Sequence, residues 1–164
     1  MTNREVKELQ VKVTNLINYL IESGIKNFKL FYGLNRNFDN FERESGLIEK
    51  SVKTQLPELF EIEQRAAELG KVENEKIEKE NAELAEKEKD QEQKTEPKKL
   101  LNLVDALKLL PKEEQDKHSE MMKEYEKILD QENDLQLYKL KKEDIGNIEI
   151  EFWAARLLAR FIDE

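Results

Sequence analysis

The 164-residue chain contains no cysteine, which excludes disulfides, thiolate catalysis and cysteine-bound metals. Its single histidine, His118, rules out a two-imidazole metal site such as the HExxH zinc helix. Only five glycines occur, each isolated, so no backbone cradle for phosphate and no dinucleotide fingerprint is present. An EF-hand loop is absent as well. No apolar run approaches the roughly 20 residues needed to span a bilayer, and the opening Met1-Thr2-Asn3-Arg4-Glu5 carries no apolar signal core. With three prolines in the whole chain, helix breakers are few.

What is present is charge. Charged residues make up 40% and hydrophobic residues 38%, enough apolar material for one core and not for two. A chain rich in Lys, Glu, Leu, Asn and Ile, and poor in Gly and Pro, favours long helices. Thirty-seven acids against 28 bases give a net charge of −9. Such a surface disfavours nonspecific binding to nucleic acid or anionic membranes, both of which require phosphate to be neutralised. It admits the opposite reading, imitation of nucleic acid toward a basic partner, although most acidic proteins are simply well solvated.

Along the chain, Thr2 and Glu5 stand in capping-box register. Val6, Leu9, Val13, Leu16 and Leu20 then recur at three- and four-residue steps, predicting a helix that Gly24 stops. Alternation of Val11 and Val13 with lysine leaves a short opening strand as the competing reading. From Lys26 to Leu69 the heptad a and d positions hold Phe31, Leu34, Phe38, Phe41, Ile48, Val52 and Leu59, with Ser45 and Gln55 as polar gaps. A seam of this kind packs against another helix, within the chain or outside it. Gly33 and Gly46 each cost about 1 kcal/mol against alanine in a helix interior. Pro57 predicts a kink or break near Gln55, where Thr54 stands ready to cap a new helix. Residues 70–97 are dominated by Glu and Lys, offering only Val72, Ile77 and Leu84 for burial. They form either a protruding helical arm or a flexible loop at the tip of a hairpin, with Thr95-Glu96-Pro97 as the reversal or a helix start. A return arm over Lys98–Gln131 carries Leu100, Leu101, Val104, Leu107 and Leu110 to cover the phenylalanine seam. Beyond Pro111 it continues with His118, Met121, Met122, Tyr125, Ile128 and Leu129 on one side. Alternation at Leu135, Leu137 and Leu140 predicts a short strand, with a second at Ile148 and Ile150 after a Gly146-Asn147 turn. A terminal helix follows from Phe152.

None of this organises chemistry. His118 has no partners in register, since Ser119 points elsewhere on a helix, and is read as the edge of an amphipathic stripe. Glu113, Glu114 and Asp116 follow Pro111 and are explained by a helix N-terminus. The cluster Phe28, Phe31, Tyr32, Phe38 and Phe41, with Lys26, Lys29, Arg36 and Arg43, would suit base stacking, yet its helical spacing predicts burial. Trp153 either locks the terminal helix onto the hairpin base or anchors a partner; the locking role is favoured. No catalytic, cofactor-binding or metal-binding residue is assigned.

The order of elements carries a resemblance. An amphipathic helix leads into Phe31-Tyr32-Gly33-Leu34-Asn35-Arg36-Asn37-Phe38-Asp39-Asn40-Phe41-Glu42-Arg43-Glu44, and a long charged stretch and a returning helix follow. A Leu-rich strand, an acidic-Ile-x-x-Ile step from Asp144 to Ile148 and a small aliphatic helix ending in acids close the chain. This layout resembles a group of small tailed-bacteriophage proteins in which an N-(x)-N-(x)3-E-like helix turns back to meet a small C-terminal β unit. The likeness spans most of the chain at low motif specificity; residues 70–97 exceed the group's usual connector, and Trp153 departs from its aliphatic preference. It implies a phage or prophage origin and transfers no catalytic residue.

The expected fold is one mainly α domain over 1–164. It comprises a long, coiled-coil-like antiparallel helical hairpin, an N-terminal helix against its base, and a small C-terminal β element plus terminal helix. The expected activity is non-catalytic: a structural or assembly adaptor or chaperone working through a protein partner or its own oligomer. Neither nucleic acid nor membrane is an expected partner, and the expected location is the host cytoplasm or the virion. An acidic inhibitor of a nucleic-acid-binding host enzyme is the alternative.

Overall fold

In a computed structural model that describes residues 1–87 and 96–163, the chain is mainly α-helical, with seven α-helices among the described residues. These are α1 (Asn3–Glu22), α2 (Phe28–Gln55), α3 (Pro57–Lys87), α4 (Leu103–Leu107), α5 (Lys112–Leu129), α6 (Lys142–Ile145) and α7 (Phe152–Leu158), the last running into a 3-10 turn at Ala159–Phe161. The chain forms two compact units, residues 1–52 with 126–164, and residues 53–125.

In the first unit, α1 begins with the expected capping box. Glu5 N donates to Thr2 Oγ1 and Thr2 N donates to Glu5 Oε2, so two otherwise orphaned N–H groups are satisfied. Helix wins over strand because Val6, Leu9, Val13, Leu16 and Leu20 form one fully buried stripe, while Val11 points outward. Gly24, at φ +71°, follows the last turn as a left-handed cap that a side chain would strain. Asn27 starts α2: its Oδ1 accepts from Leu30 N, and its Nδ2 donates to the carbonyls of Asp144 and Ile145 at the end of α6.

The α2 seam departs from the strict heptad. Leu30, Gly33, Leu34, Asn37, Phe41, Ser45, Ile48 and Val52 are buried, whereas Phe31 and Phe38 are only half-buried. A straight helix drifts by about 20° per heptad against a 3.5-residue repeat, and here the first turns of the buried stripe fall one residue before the expected positions. Glycine at 33 is required by close approach: a Cβ there would overlap Leu140 Cδ2 and stand 2.8 Å from its Cγ. Phe41 meets Phe161 edge-on, ring centroids 6.4 Å apart.

The expected C-terminal β element is absent: no strand or sheet forms among the described residues, and pairing is limited to two isolated bridges, Leu140 with Ile162 and Thr2 with Glu132. The Leu135–Leu140 stretch, which its alternation predicts as a short strand, takes no regular secondary structure, and its main chain is taken up otherwise. Asn37, buried in α2, donates Nδ2 to Tyr138 O (2.8 Å) and accepts Tyr138 N on Oδ1 (2.7 Å), doing the work of a neighbouring strand. Leu140 N then donates to Phe161 O and Asp163 N to Leu140 O. α6 and Gly146, at φ +65°, interrupt the chain before Ile148 and Ile150, which lie half-buried in irregular backbone.

In the second unit, the expected break at Pro57 is observed: α2 ends at Gln55 and α3 starts at the proline. α3 is one limb of a hairpin. The return limb runs antiparallel to it, but it is not the continuous helix the periodicity predicts. Residues 96–102 take no regular secondary structure, α4 is one short turn and a half, and α5 resumes after Pro111. Ala106 and Leu110 close on Ile62 and Ala66 of α3, with Leu107 and Met121 packed beside them. Ala106 Cβ comes within 2.8 Å of where a Cβ on Gly70 would stand, so this glycine marks the closest approach of α4 to α3. Leu59 is buried. α5 lies against the start of α3, with Arg65–Glu114 and Lys117–Glu58 ion pairs at 2.9 and 2.7 Å. The Thr95 part of the expected reversal lies outside the described residues.

Candidate protein-binding surface

α7 is too short to hold itself and owes its place to burial. Its inner side chains Ala154 and Leu158, with Phe161 just beyond, are fully or almost fully buried, and the helix packs on α1. Its N-terminus has no side-chain cap. Instead Glu151 N donates to the hydroxyl of Tyr19, at 2.9 Å, and the Tyr19 ring meets Trp153 edge-on with centroids 5.0 Å apart. Trp153 Nε1 in turn donates to Glu151 Oε2, at 2.9 Å. Trp153 thus does help lock the terminal helix, onto α1.

The outer side of α7 is left open. Phe152 is 82% exposed and Trp153 42%, and they border a cleft of about 580 Å³ lined also by Lys12, Arg156, Leu157 and Arg160. No acid lines the cleft, although the chain as a whole is acidic. Lys12 is engaged by Glu8 at 2.8 Å. That hydrogen bond and its charge hold the Glu8 carboxyl below the usual range, with Arg4 and Arg160 adding smaller pulls. An apolar aromatic pair beside cations on an otherwise anionic molecule is the composition of a binding surface, where large rings give area and guanidinium groups give direction.

The Phe28–Phe41 cluster divides. Phe41 is core and Phe31 and Phe38 are half-buried, but Phe28 is 82% exposed, which corrects the expectation of burial for the cluster as a whole. Phe28 stacks on Tyr32, Tyr32 meets Tyr138 edge-on, and Arg36 lies over both tyrosines at 5.9 and 5.4 Å, its Nη1 donating to Tyr32 Oη. This is a second exposed aromatic surface in the same unit.

Of the residues the sequence singled out, Leu34, Phe41, Ile48, Val52 and Leu59 are packing residues, and Trp153 is half packing and half surface. Phe152, Arg156 and Arg160 were missed as surface residues because aliphatic and aromatic residues crowd the chain end on every side of α7. Only the buried positions Ala154 and Leu158 show which side faces in. Asn37 was missed too. Its signal was a polar residue in line with the apolar stripe of α2.

His118 is half-buried on α5 with Nε2 3.4 Å from Glu63 Oε1, a long contact that has no third member. Among the described residues no cluster of His, Asp or Glu is placed to hold a metal ion, and no helix is long and apolar enough to cross a membrane. Compared with protein families, curated proteins and solved structures, the chain matches none.

Proposed function

We propose that this is a phage or prophage protein that acts without catalysis, through protein–protein contacts, as an adaptor or chaperone in virion assembly. The observation that carries the reading is the pair Phe152 and Trp153, held open on α7 beside Arg156 and Arg160. Aromatic residues and arginine dominate binding energy at protein interfaces when they are enclosed by a partner. A ring left 82% exposed gains nothing for folding and becomes useful once covered. In the same reading the α3 hairpin is an arm, coiled-coil-like in its charge pattern, that meets helices of the assembly.

The inhibitor reading requires acids gathered on one face. On the hairpin they are instead interleaved with lysine and paired with it, as in Lys76–Glu73, Lys98–Glu80 and Lys108–Asp105, which favours solvation over mimicry.

The test is capture from phage-infected cells with the wild-type chain and with a Phe152→Ala/Arg156→Ala variant as bait. Capsid, tail or portal components held by the wild type and lost by the variant are the expected result. A host nuclease or polymerase in their place would move the function to the inhibitor class. Capture of virion components that is indifferent to the variant would remove α7 from the interface.

A further inference from the structure

Asn74 and Asn81 stand seven residues apart on α3, and each does the same thing. Leu101 N donates to Asn74 Oδ1 (2.7 Å) while Asn74 Nδ2 donates to Leu101 O (3.0 Å). Lys98 N donates to Asn81 Oδ1 (2.8 Å) while Asn81 Nδ2 donates to Lys98 O (2.9 Å). A primary amide offers one acceptor and one donor in the arrangement of a peptide group, so each asparagine satisfies the N–H and C=O of one residue at once. The two rungs are in register for a physical reason. Seven helical residues advance about 10.5 Å, and one three-residue turn of polyproline-II backbone, which brings N–H and C=O back to the same side, advances about 9.3 Å. A helix with asparagine every second turn therefore holds an extended chain at every third residue. Asn37 and Tyr138 repeat the device in the other unit, so it is a recurrent way in which this chain fixes non-helical backbone.

Besides these rungs the segment is held by the half-buried Leu101, which lines the cleft against α3. Lys98, Lys99 and Leu100 are exposed, and Leu103 and Val104 just beyond are 43% and 65% exposed. Beside it an open cleft of about 480 Å³ remains, with Ala67, Gly70, Lys71, Glu75 and Glu78 of α3 along one side. The side-chain preference of the surface is read from its occupant. Lys98 Nζ pairs with Glu80 Oε2 at 2.6 Å. Its pKa is raised by that hydrogen bond first, then by the charges of Glu80 and Glu73.

We infer that the α3 face carrying Asn74 and Asn81 is a binding site for an extended basic segment of a partner protein, of pattern Lys-x-x-Leu, and that residues 98–101 occupy it as an internal mimic of that ligand. The rungs recognise main chain, so they select an extended polypeptide. A nucleic-acid strand has no N–H to offer at each repeat of its backbone, and its phosphates would face Glu75, Glu78 and Glu80. The net charge of −9 favours the approach of a basic segment and speeds it at low salt. The tethered copy competes at high effective concentration, so the site is held back until the internal segment is released. This inference is independent of the α7 surface.

The probe is a fluorescein-labelled peptide Pro-Lys-Lys-Leu-Leu-Asn-Leu, copied from residues 97–103, with anisotropy as the readout on the full chain. Lys98→Pro/Leu101→Pro removes the two N–H groups that the rungs accept and leaves α3 untouched. It is expected to bind the peptide at least tenfold more tightly than the wild type. Adding Asn74→Leu/Asn81→Leu is expected to abolish that gain, and a peptide N-methylated at its first Lys and second Leu is expected not to bind. Equal binding by the N-methylated peptide, or no gain in a double-proline chain of unchanged helicity, would overturn the inference. If the double-proline chain loses helicity, the wild type decides the matter. At millimolar peptide the amide exchange of Lys98 and Leu101 is expected to accelerate, and exchange that stays constant would overturn the proposal equally.

Discussion

Gly33 and Gly46 lie in the same helix of the same unit, and the structure separates the effects of replacing them by alanine. In a helix interior, alanine gains about 1 kcal/mol over glycine by restricting the unfolded chain. At Gly46 nothing lies within 4 Å of the added methyl, so the whole gain should appear as stability. At Gly33 the methyl would overlap Leu140 Cδ2 and crowd its Cγ at 2.8 Å, and Leu140 is itself 2% exposed. Overpacking of this kind costs about 1–3 kcal/mol, which cancels or exceeds the helix gain. The expected separation between the two variants is therefore about 1–3 kcal/mol, or several degrees in melting temperature at roughly 3 °C per kcal/mol for a chain of this size. Denaturant unfolding followed by Trp153 fluorescence is the natural assay, because the only tryptophan lies in the unit that holds both glycines. If Gly33→Ala proves as stabilising as Gly46→Ala, Leu140 does not press on α2 and the packing described for the Leu140 segment is wrong.

Two further outcomes follow from the hydrogen bonds. Asn37→Leu leaves both main-chain groups of Tyr138 without their partner in a part-buried position and should destabilise the first unit by about 2–4 kcal/mol. Asn37→Asp, which keeps the acceptor and loses the donor, should be no milder, and urea midpoints of the two variants check this. The Asp144 carboxyl is held below the usual carboxylate range, first by the Lys29 hydrogen bond, against an opposing cost of burial, with the Lys29 charge adding to it. The folded chain therefore binds fewer protons here than the unfolded chain. The pair's stability is present above the ordinary aspartate pKa and is lost as pH falls through the lowered one. Lys29→Met should flatten the acid limb of the stability–pH curve at low salt; an unchanged limb would show that the pair adds nothing to folding.

Helices whose causes are local were legible in the residues alone. Thr2 and Glu5 cap α1 because a hydroxyl and a carboxylate at that spacing reach two N–H groups whatever lies around them. Gly24 ends that helix because its φ is positive, and Pro57 divides α2 from α3 because it has no N–H to give. The apolar stripes of α1 and α2 could be read to within one residue, because helical periodicity is a property of the chain itself.

The remaining features depend on contacts between residues far apart in the chain. Leu135 to Leu140 has the alternation of a strand, but alternation states only that a segment is extended and one-sided. Whether it joins a sheet depends on what supplies its hydrogen bonds, and here that is an asparagine about a hundred residues away in sequence. Leu100 and Leu101 read as helix because their apolar spacing fits one, yet Asn74 and Asn81 hold that segment non-helical at less cost than helix nucleation over so few residues. Which side of α7 faces water was equally hidden, because a short helix with apolar residues all round shows no direction until α1 buries Ala154 and leaves Phe152 exposed.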